Sequence, residues 1–80
     1  LARKRLAVLN AYLAAAERRT EVGDVIASSV TNDEAAERVA ALLGIAPVLG
    51  EAVLDLRFSR LTRASIKEIR EERDALDRLA

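Results

Sequence analysis

Two pairs of neighbouring carboxylates, Asp33-Glu34 and Glu71-Glu72, and one phenol, Tyr12, are the side chains here best suited to proton transfer or ligand binding. Neither pair makes an acid–base site by its spacing. Successive residues on a helix point about 100° apart, so adjacent carboxylates diverge and do not meet on one substrate or ion. The simpler reading of both pairs is helix-start acid and solvated helix face. Histidine and cysteine are absent, which removes the commonest general base, the thiolate nucleophile and the usual zinc ligands. No disulfide framework is possible, and a reducing compartment is allowed. Gly23, Gly44 and Gly50 are scattered and form no phosphate-cradling loop. Tyr12 falls mid-helix with no basic cluster around it and reads as packing. The expectation is a chain with no catalytic, cofactor-binding or metal-binding residues.

Eighty residues make one small domain at most, near the size where a single core yields only a few kcal/mol. The hydrophobic share is 51%, but much of it is alanine, which buries little area per residue. Such a chain gains stability from association. Thirteen basic and thirteen acidic residues cancel to a formal net charge of zero, so no whole-chain field draws in nucleic acid. Basic residues do gather at Arg3-Lys4-Arg5 and at Arg57, Arg60, Arg63 and Lys67. The bland reading is solvated helix surface, and the sharper one a weak surface for passing duplex DNA. No apolar run reaches the length of a membrane span, and no signal-peptide pattern opens the chain. A helical pattern is already running at Leu1 and still running at Ala80, which reads as a segment of something longer.

The elements follow from periodicity. In residues 1–19, Ala2, Leu6, Leu9, Leu13 and Ala16 recur at spacings of four and three, the seam of a coiled coil, with Val8 and Tyr12 widening the apolar face. A short second helix over 21–29 carries Val22, Val25 and Ile26, weakened by Gly23. Thr31 and Glu34 fit a capping box for a third helix over 33–43 that buries Ala36, Val39, Ala40 and Leu43. Gly44 stands where a left-handed C-cap belongs. Pro47 suits the first position of a fourth helix, expected to run to about Leu61. Ser65 with Glu68 predicts a second capping box and a restart. From there residues 65–80 carry Ile66, Ile69, Arg73, Leu76 and Ala80 in heptad spacing. Period-two alternation is absent, so no strand is expected.

These elements predict an all-α protein: an antiparallel coiled-coil stalk with a small helical knob at its tip. The descending stalk helix is 1–19, the knob 20–62, and the ascending stalk helix 63–80. Across the stalk, Leu6, Leu9 and Leu13 are expected to pack on Ile66, Ile69 and Leu76. Arg73 at a core heptad position requires its head to reach solvent or an acid. The stretch VLDLRFSRLT is apolar on two sides at once. Leu54, Phe58 and Leu61 form one stripe, and Leu49, Val53 and Leu56 form another. One stripe fits the chain's own core, leaving the other for a partner, expected to be a second copy of the chain.

The run from Thr31 to Thr62, TNDEAAERVAALLGIAPVLGEAVLDLRFSRLT, resembles the far end of the coiled-coil arm in the A subunits of bacterial type IIA DNA topoisomerases, DNA gyrase and topoisomerase IV. The resembling parts are an acidic-start helix over 33–43, the turn Gly44-Ile45, the helix over 53–61 and a long returning helix over 65–80. Upstream, EVGDVI at 21–26 is similar to the family's D-E-V-I segment, less regularly spaced. The sequence departs from the family in its denser alanine, in Gly23 and Gly50, and in Ala46, where the family often has a capping hydroxyl. The resemblance implies a non-catalytic dimerisation region, the C-gate. There two subunits hold together while DNA is cut elsewhere, then part to release the transported duplex.

What the resemblance further implies is a cytoplasmic homodimer through the knob, with Val22, Val25, Ile26, Leu49, Val53 and Leu56 as dimer-interface candidates. Each of these fits intrachain core equally well. The resemblance also implies that duplex DNA is met only in transit, within an ATP-dependent parent enzyme, and that there is no small-molecule substrate, cofactor or membrane partner. The DNA-cleaving tyrosine of that family lies in a different domain, and Tyr12 matches no such motif. A free-standing helical module that binds a different protein is the alternative. A small DNA-binding protein acting through Arg57, Arg60 and Arg63 is a third reading, weakened by the charge balance.

Overall fold

The computed structural model describes residues 2–79. Leu1 and Ala80, which the sequence reading places at the outer ends of the first and last helices, lie outside the described residues. Five helices follow in order: α1 Ala2–Glu17, α2 Arg19–Ala27, α3 Asn32–Leu43, α4 Pro47–Leu54 and α5 Arg63–Leu79. A single 3₁₀ turn, Phe58–Leu61, separates α4 from α5. No strand occurs among the described residues. The protein is all-α, as its periodicity predicts.

The caps form where the sequence signals them, with two adjustments. Thr31 Oγ1 accepts the Glu34 N–H at 3.1 Å, while Glu34 Oε2 reaches one residue further back than in the usual box and accepts the Val30 N–H at 2.7 Å. Gly44 adopts φ 66°, a left-handed conformation that glycine enters without a Cβ clash. The Ile45 N–H then donates to the Ala40 carbonyl at 3.0 Å and closes a Schellman-type end. Pro47 occupies the first turn of α4, and Ala46 offers no side-chain cap. At α5 the cap is Thr62, whose Oγ1 accepts the Ser65 N–H at 3.2 Å. This corrects the expected Ser65–Glu68 box. Ser65 lies inside the helix, and its hydroxyl donates to the Ser59 carbonyl at 2.8 Å.

α4 is also shorter than its apolar pattern predicts. It stops at Leu54, seven residues before Leu61, and the chain turns through extended backbone at Arg57 (ψ 143°) and again at Thr62 (ψ 159°). The physical reason is the destination of α5. A helix continued straight to Leu61 carries the following segment away from α1, whereas the turn brings Ile66 and Ile69 back onto it.

Two apolar clusters hold the fold. Leu9, Leu13 and Ile69 are buried together, with Tyr12, Ile66 and Leu76 packed around them. Five of the six residues expected to pack between α1 and α5 thus fall in one cluster, while Leu6 is half-buried and not part of it. Ala11, Ala15, Val22, Val39 and Val53 form the second cluster, under Val25, Leu42, Leu43, Ile45 and Leu49. α1 belongs to both. Leu9 and Ala11 are two residues apart, about 200° around the helix, so one face meets α5 and the opposite face meets α2–α4.

Polar contacts line the α1–α5 seam. Arg5 forks onto Glu72, Nε to Oε2 at 2.8 Å and Nη2 to Oε1 at 3.2 Å. The guanidinium holds the Glu72 carboxyl below its ordinary range, and the carboxylate raises Arg5 in return. Arg73, on the heptad seam, keeps its head polar: Nε donates to Asp74 at 2.6 Å and Nη1 to Asn10 Oδ1 at 3.2 Å. α3 and α4 cross at close range because Gly50 is buried against the Ala36 carbonyl and the Ala40 methyl.

Candidate interaction surface

Among the described residues, Ile26, Val30, Val48, Phe58 and Leu79 are large hydrophobic side chains left exposed, and the 3₁₀ turn carries the one aromatic ring of this group. Phe58, the only phenylalanine of the chain, is 89% exposed. Beside it lies a groove of about 470 Å³ whose walls are mostly apolar, contributed by Ile26 of α2, Leu54 of α4, Leu56 of the connecting bend and Leu61 of the turn. Val53 lines the same groove from beneath, 5% exposed. Arg57 supplies its charge. An aromatic ring held in water next to an apolar groove, with arginine at hand, has the composition found at the centre of protein interfaces.

The turn is fixed by one backbone bond and by side chains from two helices. The Arg60 N–H donates to the Arg57 carbonyl at 2.9 Å. Ser65 Oγ donates to the Ser59 carbonyl, and Arg19 Nη1 donates to the Leu61 carbonyl at 3.3 Å. Phe58 therefore projects from a segment with its backbone carbonyls engaged on both sides.

The six residues expected at a dimer interface separate into three groups. Val22 and Val53 are 7% and 5% exposed and belong to the protomer's own core, so what they offer a partner is support from below. Val25 and Leu49 are half-buried over the same cluster. Ile26 and Leu56 open onto the Phe58 groove. Leu49 instead lines a different groove of about 500 Å³ between α1 and α4, with Lys4, Val8, Val48 and Ala52. The structure brings Ile26, Val53 and Leu56 to one place and leaves Leu49 elsewhere.

Leu54, Phe58 and Leu61, one of the two apolar stripes read from the sequence, line this groove together with Val53 and Leu56 of the other. A usable signal was present in RFSR, where a lone aromatic sits between two arginines on a stretch already rich in core residues. Val30 also stands exposed, four residues beyond Ile26.

The carboxylate pairs act in structure. Glu34 caps α3 and Glu72 binds Arg5, while Asp33 and Glu71 face solvent. Glu21 is held below its ordinary range by a two-pronged hydrogen bond from Arg18, at 2.9 and 2.7 Å. Among the described residues no three acidic side chains are grouped so as to hold a metal ion, and no described helix is long and apolar enough to cross a membrane. Arg57 and Arg63 are exposed, as is Lys67, and Arg60 is half-buried. No protein-family model matches the sequence, and comparison with curated proteins gives no significant match.

Proposed function

We propose that this chain is a non-catalytic helical interaction module that self-associates through the face formed by Ile26, Leu56 and Phe58. The observation that carries the reading is the exposed Phe58 ring beside an apolar groove on the same face. A surface that holds both a protruding ring and a receptive groove is self-complementary, which is the requirement of a two-fold contact between identical copies. The patch is small compared with the roughly 800 Å² per partner that a stable interface buries. A contact of that size suits an association that forms and releases.

The narrower form of this reading is the C-gate of a type IIA DNA topoisomerase A subunit, a cytoplasmic homodimer that passes duplex DNA within its parent enzyme. Its supports are the resemblance of VLDLRFSRLT and the pairing of α1 with α5. The two helices are joined by Arg5 on Glu72, by Arg73 on Asn10 and by the cluster of Leu9, Leu13 and Ile69. The α1–α4 groove around Val48 favours a second reading, a module that binds a different protein.

Sedimentation equilibrium of the chain and of Phe58→Glu distinguishes them. Self-association that the substitution abolishes, with helical content retained, is the expected result. A well-folded monomer at every concentration rejects self-association and leaves the hetero-partner reading.

A further inference from the structure

Arg19 opens α2, and its guanidinium touches two other elements. Nε donates to the Ala16 carbonyl near the end of α1 at 3.1 Å, and Nη1 donates to the carbonyl of Leu61, the last residue of the 3₁₀ turn, at 3.3 Å. Its neighbour Arg18 is engaged elsewhere. Arg18 Nη1 donates to the Leu42 carbonyl of α3 at 2.8 Å, and its other nitrogens bind Glu21. Two adjacent arginines at one helix junction thus tie down two different parts of the fold. Carbonyls at the end of a short helical turn lack partners within it. Ser65 serves Ser59, and Arg19 serves Leu61. A planar guanidinium makes both of its bonds in a fixed geometry, which an ammonium on a flexible stem does not reproduce.

We infer that Arg19 is a positioning residue for the interaction face. Acting through the Leu61 carbonyl, it holds the 3₁₀ turn at the angle where Phe58 stands clear of the protomer beside the groove. The inference rests on the reading of the Phe58 face as a self-association surface. Its contribution is preorganisation: a turn ordered in the free chain loses less freedom when the second copy arrives.

The test compares the full chain with Arg19→Gln, Arg19→Lys and Arg18→Gln. The dimer dissociation constant comes from sedimentation equilibrium, and helical content and melting temperature from circular dichroism. Proton–nitrogen correlation spectra are recorded at concentrations where each variant is monomeric. Arg19→Gln is expected to weaken association about two- to tenfold, the range of one net hydrogen bond, with helical content retained and the melting temperature lowered by no more than in Arg18→Gln. Its amide signals should move over residues 57–62 and stay in place over 66–76. Arg19→Lys should recover part of the affinity, and Arg18→Gln should leave it intact.

Equal affinity in the unsubstituted chain and Arg19→Gln overturns the inference. So does an equal loss in Arg18→Gln, which signals general loosening. If the unsubstituted chain is monomeric throughout, the self-association reading fails by itself and the spectra decide. Unmoved signals at 57–62 in Arg19→Gln then sink the positioning role, and selectively shifted ones uphold it.

Discussion

Gly50 lies so close to Ala36 that a methyl group added to its α-carbon overlaps the Ala36 carbonyl oxygen. Ordinary helix propensity favours alanine over glycine inside a helix by about 1 kcal/mol. Backbone cannot retreat as the tip of a side chain can, so the overlap reverses the sign. Gly50→Ala is expected to destabilise the chain by about 1–3 kcal/mol, read as a lower midpoint in urea unfolding.

Gly23 provides the opposite case. It lies within α2, has no atoms near the position a Cβ would take, and does not use a positive φ. Gly23→Ala should stabilise by about 0.5–1 kcal/mol by restricting the unfolded chain and improving α2. A midpoint unchanged or lowered in the same urea titration contradicts the open surroundings assigned to it.

Core and surface substitutions within the same motif should separate cleanly. Val53→Glu places a carboxylate in a buried apolar cluster without a partner, a change that unfolds a domain of this size. Phe58→Glu removes a ring already in water and should preserve the far-ultraviolet circular dichroism while weakening self-association by about 2 kcal/mol or more, the loss typical of an interface anchor. Similar loss of helical signal in both variants argues that Phe58 supports the fold.

The Arg5–Glu72 pair makes stability depend on pH. Glu72 is held below its unfolded value by the hydrogen bonds from Arg5. The stabilisation is therefore complete above the unfolded value, about pH 4.3 for glutamate, and is lost as pH falls through the lower folded value. Both side chains are more than two-fifths exposed, which limits the contribution to about 0.5 kcal/mol. Glu72→Gln should flatten the part of the melting-temperature profile that falls away below about pH 4.3. A profile of the same slope in both proteins shows that other carboxylates dominate acid unfolding.

Local chemistry was legible in the sequence where a single residue type determines it. Thr31, Gly44 and Pro47 each satisfy a backbone requirement of one helix end, and all three perform the expected role. The α1–α5 packing was legible too, because Leu9, Leu13 and Ile69 are large residues in heptad spacing and have few other places to go. What periodicity does not encode is which of two apolar stripes turns inward. Val53 and Phe58 lie on different stripes of one segment, and the choice depends on where α3 presents Ala36 and Val39. Nor does it show that the helix breaks after Leu54, since the residues from Asp55 to Leu61 contain neither glycine nor proline. That break follows from the return of α5 to α1, a constraint set by residues outside the segment.

α1 serves as the common wall of both clusters, with Leu9 and Leu13 on one side and Ala11 and Ala15 on the other. Neither half of the molecule can come apart while the other keeps its inner surface intact, so the expected unit of unfolding is the whole chain. Amide hydrogen exchange over Leu9 to Ala16 should then be the slowest in the protein and should track global stability through every core variant. By contrast, Phe58 stands outside both clusters, on a turn tethered through Arg19 and Ser65. A contact made there can form and part many times while the wall behind it stays closed.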